Sequence, residues 1–135
     1  MPRALSSRAR KVFGSLHIAT SGIVAVGVFV GLPVRYAPVD TAAGVLATAL
    51  LVSGFGLLTG AAWRERAARL VSWMTLGIGL ALTAVLVVTA SHVAGLYGPI
   101  GRGGALILSM VALLVVPYLV AVPALSVHWL SRKPR

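Results

Sequence analysis

Apolar positions in this chain neither alternate with polar ones nor recur opposite a polar helix face; they run on without interruption. Four uncharged stretches lie between the charged residues, from about Val12 to Val34, Thr41 to Ala62, Leu70 to Ala94 and Gly103 to Leu130. Each exceeds the roughly 20 residues a helix needs to cross about 30 Å of hydrocarbon. Membrane strands alternate inward and outward over about ten residues, and these runs show no such alternation. The pattern therefore predicts four transmembrane helices.

The breaks between the stretches carry turn chemistry. Residues from Pro33 to Val39 predict a short turn, with Asp40 or Thr41 capping the second helix. Trp63 to Arg69 reads as a charged loop, with room for a helical turn. Gly95 to Gly104 is glycine-rich and contains Pro99, which predicts a break, because both residue types disfavour a helix interior. Connections this short force successive helices to run antiparallel. The expected fold is all-α: an integral membrane, antiparallel four-helix bundle forming a single transmembrane domain.

Basic residues set the orientation, since they concentrate in cytoplasmic loops. Arg3, Arg8, Arg10, Lys11, Arg64, Arg66, Arg69, Arg132, Lys133 and Arg135 fall on one side of such a bundle. Of the 12 basic residues, only Arg35 and Arg102 fall on the other. Both termini are accordingly expected in the cytoplasm, with Trp63, Trp73 and Trp129 at the inner boundary and Tyr36 and Tyr97 at the outer one. A basic start followed by an apolar run also describes a signal peptide, but this run is about twice as long as a signal core. No clean small-residue cleavage site follows it, so the first span is expected to be retained.

Composition narrows the class. An apolar fraction of 59% with only 10% charged residues does not suit a soluble fold of 135 residues. The chain has no cysteine, which excludes disulfides, thiolate metal sites and a cysteine nucleophile. A net charge of +10 would suggest nucleic acid if taken alone, but its distribution is accounted for by topology and by attraction to anionic lipid headgroups. The abundance of Ala, Val, Arg and Gly suggests a bacterial cytoplasmic (inner) membrane.

Small residues indicate where helices meet. Gly27 with Gly31 and Gly56 with Gly60 share the four-residue spacing of one helix face, as do Ala49 and Ser53; Gly77 and Gly79 lie in the third stretch. These faces are expected to pack the bundle or to contact a membrane partner or a second copy. Pro117 and Pro123 predict a kink in the fourth helix, near Tyr118.

Candidate chemistry is sparse. The only carboxylates, Asp40 and Glu65, lie outside the apolar stretches, so proton or cation coupling has no intramembrane acid. The glycines around Pro99 and Arg102 lack the Gly-Lys-Ser/Thr ending of a nucleotide loop. Arg102, with free amides opening the fourth helix, is instead a candidate for holding a lipid phosphate. Ser91 and His92 are adjacent on one helix and point about 100° apart, so they do not form a serine–histidine nucleophile pair. His17 and His128 lie at comparable depth from the cytoplasmic basic clusters, and two such histidines could ligate a b-type haem. Thr20, Ser21, Thr83 and Thr89 could contact an uncharged or lipidic solute, although such hydroxyls also bond to their own helix. The leading expectation is a non-enzymatic accessory subunit or scaffold without a cofactor. A bis-histidine cytochrome and a minor transporter are the alternatives.

Overall fold

The structure, a computed structural model, describes residues 6–31, 35–60 and 63–131. Pro33 and Val34 of the first turn, Ala62 at the end of the second stretch, and the basic residues Arg3, Arg132, Lys133 and Arg135 lie outside them. The described residues are all-helical and contain no strand. The four helices are α1 (Ser7–Phe29), α2 (Ala37–Thr59), α3 (Arg64–Leu96) and α4 (Gly98–Ser131), each long and apolar enough to cross a membrane.

The boundaries differ from those of the apolar stretches because helix propensity and capping, not hydropathy, end a helix. Ser6 caps α1, its Oγ accepting a bond from the Ala9 N–H at 3.3 Å, so Arg8, Arg10 and Lys11 are helical. The expected cap of α2 at Asp40 or Thr41 is corrected. Tyr36 occupies the cap without a side-chain bond, and Pro38 sits in the first turn, where its missing N–H costs nothing. Asp40 lies within that first turn, beside the positive end of the helix dipole, and Thr41 Oγ1 donates back to the Ala37 carbonyl at 2.6 Å. Gly60 ends α2 in the left-handed conformation at φ 83°, which a residue with a Cβ adopts only with strain.

In the segment from Trp63 to Arg69 the loop is corrected and the helical turn extended: α3 starts at Arg64 and runs on without a break. Its Arg, Glu and Ala residues are strong helix formers; their charge marks the end of the apolar stretch, not the end of the helix. The break expected over Gly95 to Gly104 shrinks to Tyr97, between the end of α3 and the start of α4. Gly98 has φ 54°, and Pro99 again occupies the first turn of a helix.

The expected irregularity in the fourth helix appears as a π-helical turn at Pro117–Ala121, closed by the Val122 N–H donating to the Pro117 carbonyl. Pro123 supplies the reason. Its ring would clash with the Leu119 carbonyl four residues earlier in a regular α-helix, and it has no N–H to donate there. Widening the turn relieves that clash.

The helices group into two compact units, one comprising residues up to Ser72 together with those from Ser126 onward, the other Trp73–Leu125. In the first, Phe13, Leu57, Ala68 and Leu130 form an apolar cluster with Ala9 and Leu16 against it, and the Phe13 and Trp129 rings lie 6.4 Å apart. The α1–α2 crossing is close because both helices lack a Cβ where they meet. A Cβ on Gly54 would lie 2.8 Å from the Gly14 carbonyl oxygen, and one on Gly14 would lie 2.9 Å from Leu58. The second unit is a hairpin of α3 and α4 with two close approaches, where Cβ atoms on Gly79 and Gly101 would collide with the carbonyls of Leu119 and Val93.

The buried face of α1 is made of Phe13, Gly14, His17, Thr20 and Ser21, whereas Val12, Ile23 and Val26 are exposed. The polar side chains point inward and the aliphatic ones outward, the reverse of a water-soluble helix.

The crossing glycines make a direct prediction. Gly54→Val places side-chain atoms against backbone that cannot rotate away, and should lower stability by roughly 1–3 kcal/mol. Gly22→Ala, where an added Cβ meets nothing within 4 Å, should be neutral or stabilising by up to about 1 kcal/mol through helix propensity. Reversible unfolding in mixed detergent micelles compares the two.

Candidate functional site

His17 is enclosed, with 1% of its surface exposed. It sits one turn beyond Gly14, so the close α1–α2 crossing brings its ring to α2. Nδ1 lies 2.8 Å from Ser53 Oγ, next to the crossing glycine Gly54. On the other side, Nε2 lies 3.2 Å from Ser72 Oγ, on α3. One imidazole therefore joins three helices.

Donor and acceptor roles follow from the serines. Ser53 Oγ donates its single proton to the Leu50 carbonyl at 3.0 Å, so it accepts from His17 Nδ1–H. That leaves Nε2 as the acceptor for the Ser72 hydroxyl. The arrangement is a directional chain running from Ser72 through a neutral His17 and Ser53 to the Leu50 carbonyl. One turn further along α1, Ser21 Oγ donates to the Ala47 carbonyl of α2 at 2.7 Å. Thr20 is buried on the same face of α1.

Chemically, this arrangement holds helices in register. Ligation of haem iron by His17 requires one ring nitrogen to leave its serine. His128, the other candidate ligand, is exposed near the end of α4, so the two histidines occupy different settings. Of the candidate solute contacts, Ser21 bonds across to α2, Thr83 donates to the Gly79 carbonyl of its own helix at 2.8 Å, and Thr89 is exposed. Ser91 and His92 each turn back on α3, donating to Val87 and Val88 carbonyls at 2.9 and 3.0 Å. Tyr118 lies half-buried in the π turn.

Arg102 is exposed, and the amides expected beside it are shifted. Because α4 opens at Gly98 and not Gly103, its first-turn amides precede Arg102. Pro99 has none to offer, and the Gly101 N–H donates to the Tyr97 carbonyl at 3.2 Å. The glycine faces are also resolved. Gly27 has nothing within 4 Å of an added Cβ, and a Cβ on Gly31, just past the end of α1, would run into the Gly27 backbone. Gly56 and Gly60 lie beneath the side chains of Arg64 and Arg10.

Arg35 joins the ends of two helices. It donates to the Phe29 carbonyl at the end of α1, stacks over the Phe29 ring at 5.5 Å and pairs with Asp40 at 3.8 Å. Cation at a helix C-terminus and anion at an N-terminus both suit the dipoles, although an ion pair of this length with an exposed arginine adds little.

Ser53 and Ser72 are the partners that sequence reasoning missed. Both flank the middle basic segment and so sit at the same end of their helices as His17, but nothing in their spacing marks which face meets it. Compared with known families, curated proteins and solved structures, the chain matches none.

Removing one partner tests the role of His17. Ser53→Ala leaves Nδ1–H without its acceptor, and His17→Phe removes both bonds. Losses of about 1 kcal/mol for Ser53→Ala and roughly 1–3 kcal/mol for His17→Phe are expected in the same unfolding assay. The His17→Phe/Ser53→Ala double variant should lose less than the sum, because the two residues share a bond.

Proposed function

We propose that this chain is a four-span protein of a bacterial cytoplasmic membrane, with both termini in the cytoplasm, acting as a non-catalytic accessory subunit or scaffold. The observation that carries the membrane part is the reversed polarity of α1, whose buried face holds His17, Thr20 and Ser21 while its aliphatic residues lie outside. In water this arrangement would expose apolar surface for no return. In lipid it is favourable, because acyl chains solvate Val and Ile while polar groups need partners inside.

The α3–α4 hairpin extends the argument. Little of either helix is enclosed, and Leu106, Ile107, Met110, Leu113 and Leu114 are exposed along one length of α4. Lipid, a second copy or a membrane partner covers this surface. The scaffold role is supported by the use of the buried polar groups: His17, Ser53, Ser72 and Ser21 bond to one another or to backbone, which commits them to holding the helices. The outer faces are then the parts left to act. The basic-residue asymmetry supports the orientation.

Two experiments test this reading. The chain contains no cysteine, so single substitutions report accessibility without background. With Ser7→Cys and Arg66→Cys, an impermeant maleimide should label only after the membrane is opened; with Tyr36→Cys and Ile100→Cys it should label intact cells. The opposite pattern would reverse the orientation, and uniform labelling would refute insertion. Purification in mild detergent should recover a stoichiometric partner or a homo-oligomer, and a clean monomer counts against the scaffold.

A further inference from the structure

Arg10 of α1 and Arg64 of α3 converge on the C-terminal cap of α2. A Cβ built on Gly60 would lie 3.4 Å from Arg10 Nη1 and 3.9 Å from Arg64 Nη1. The stem of Arg64 lies over Gly56, where an added Cβ would approach its Cγ and Cδ at 3.3 Å. Both arginines are half-buried. The absent side chains at Gly56 and Gly60 are what admit the two guanidinium groups.

Among the described residues, Arg64 Nη1 is buried and has no hydrogen-bond partner. Nearby Arg69 behaves differently, its Nη2 donating to the Leu130 carbonyl at the end of α4. Arg64 thus places a strong donor at a helix C-terminus without an acceptor for it, which is unfavourable unless a ligand supplies one. Charge points the same way. The α2 C-terminus contributes about half a negative charge, against two whole positive ones. Among the side chains that flank these helix ends in the sequence, Glu65 is the one acid against Arg8, Arg10, Lys11, Arg64, Arg66 and Arg69.

We propose that Arg10 and Arg64 form a binding site for phosphoryl oxygens, filled by the headgroup of an anionic phospholipid. Because both Nη1 atoms lie within 4 Å of the position a Cβ on Gly60 would take, their separation is one that two oxygens of a single phosphate span through charge-assisted bonds of about 2.8 Å. Guanidinium groups suit this ligand better than ammonium because their donors are paired in a plane. In the topology proposed above, the site sits at the cytoplasmic headgroup level, where Trp63 is exposed beside it. The lipid source rests on that membrane reading; the phosphoryl chemistry does not.

Native mass spectrometry of the full chain in maltoside detergent, titrated with phosphatidylglycerol, tests the proposal. The wild-type chain should retain a bound lipid that Arg10→Gln and Arg64→Gln each weaken roughly tenfold. Arg64→Lys should fall between, since it keeps the charge and loses the fork. Arg66→Gln, at an exposed position, should bind as the wild type does. Displacement by inorganic phosphate would support the site with a free anion as occupant, and resistance to it would support the lipid. Circular dichroism confirms that each variant keeps its helices. Equal phosphatidylglycerol retention by a helical Arg10→Gln/Arg64→Gln double variant would overturn the site, whatever the labelling experiment says about insertion.

Discussion

A histidine ring brings two nitrogens of opposite character into a packed interior, and each must find a partner or leave a polar group stranded. In this chain the partners of His17 lie on two other helices, Ser53 at 2.8 Å on α2 and Ser72 at 3.2 Å on α3. Satisfying both fixes the rotation of α1 and its height against its neighbours together. The crossing of Gly14 over Gly54 is the steric condition for this: with a Cβ at either position, the ring would stand further from Ser53. The Ser21 bond to the Ala47 carbonyl then holds the same two helices one turn further along.

The energies involved are modest, and their placement matters more than their sum. Hydrogen bonds between membrane helices contribute about 0.6–2 kcal/mol each, so the three that tie α1 to α2 and α3 do not by themselves hold the fold. In a bilayer, apolar contact has no preference for protein over acyl chain and cannot choose a register. Directional bonds can. In the membrane reading proposed above, this is the physical sense of an inward polar face on α1 and an outward aliphatic one. It also explains why Phe13, Leu57, Ala68 and Leu130 cluster beside the polar seam instead of replacing it.

The four helices were legible because long uncharged stretches have few structural solutions. Their ends were not, since hydropathy reports where charge begins while helices end where caps and glycines allow. Arg64 to Arg69 are charged and helical, and Pro38 and Pro99 start helices that the apolar stretches entered later. The irregularity in α4 could be anticipated from Pro117 and Pro123, but two prolines do not specify whether a helix bends or widens into a π turn. His17 stood out as a polar residue in an apolar run. Its partners could not be found the same way, because serines recur in every helix and the choice between them depends on tertiary rotation. Spacing alone did not say what each glycine admits: Gly56 and Gly60 make room for the side chains of Arg64 and Arg10, while Gly14 and Gly54 form the α1–α2 crossing.

The most direct test of His17 as the joint between three helices is its imidazole nitrogen spectrum. In protein labelled with ¹⁵N-histidine and reconstituted in bilayers, His17 is assigned by the signals lost in a His17→Gln sample. A neutral ring protonated at Nδ1 and bare at Nε2, with Nδ1 shifting when Ser53 is replaced by alanine, is the predicted result. A ring protonated at Nε2 alone, one shifted by iron ligation, or one insensitive to Ser53 would contradict it.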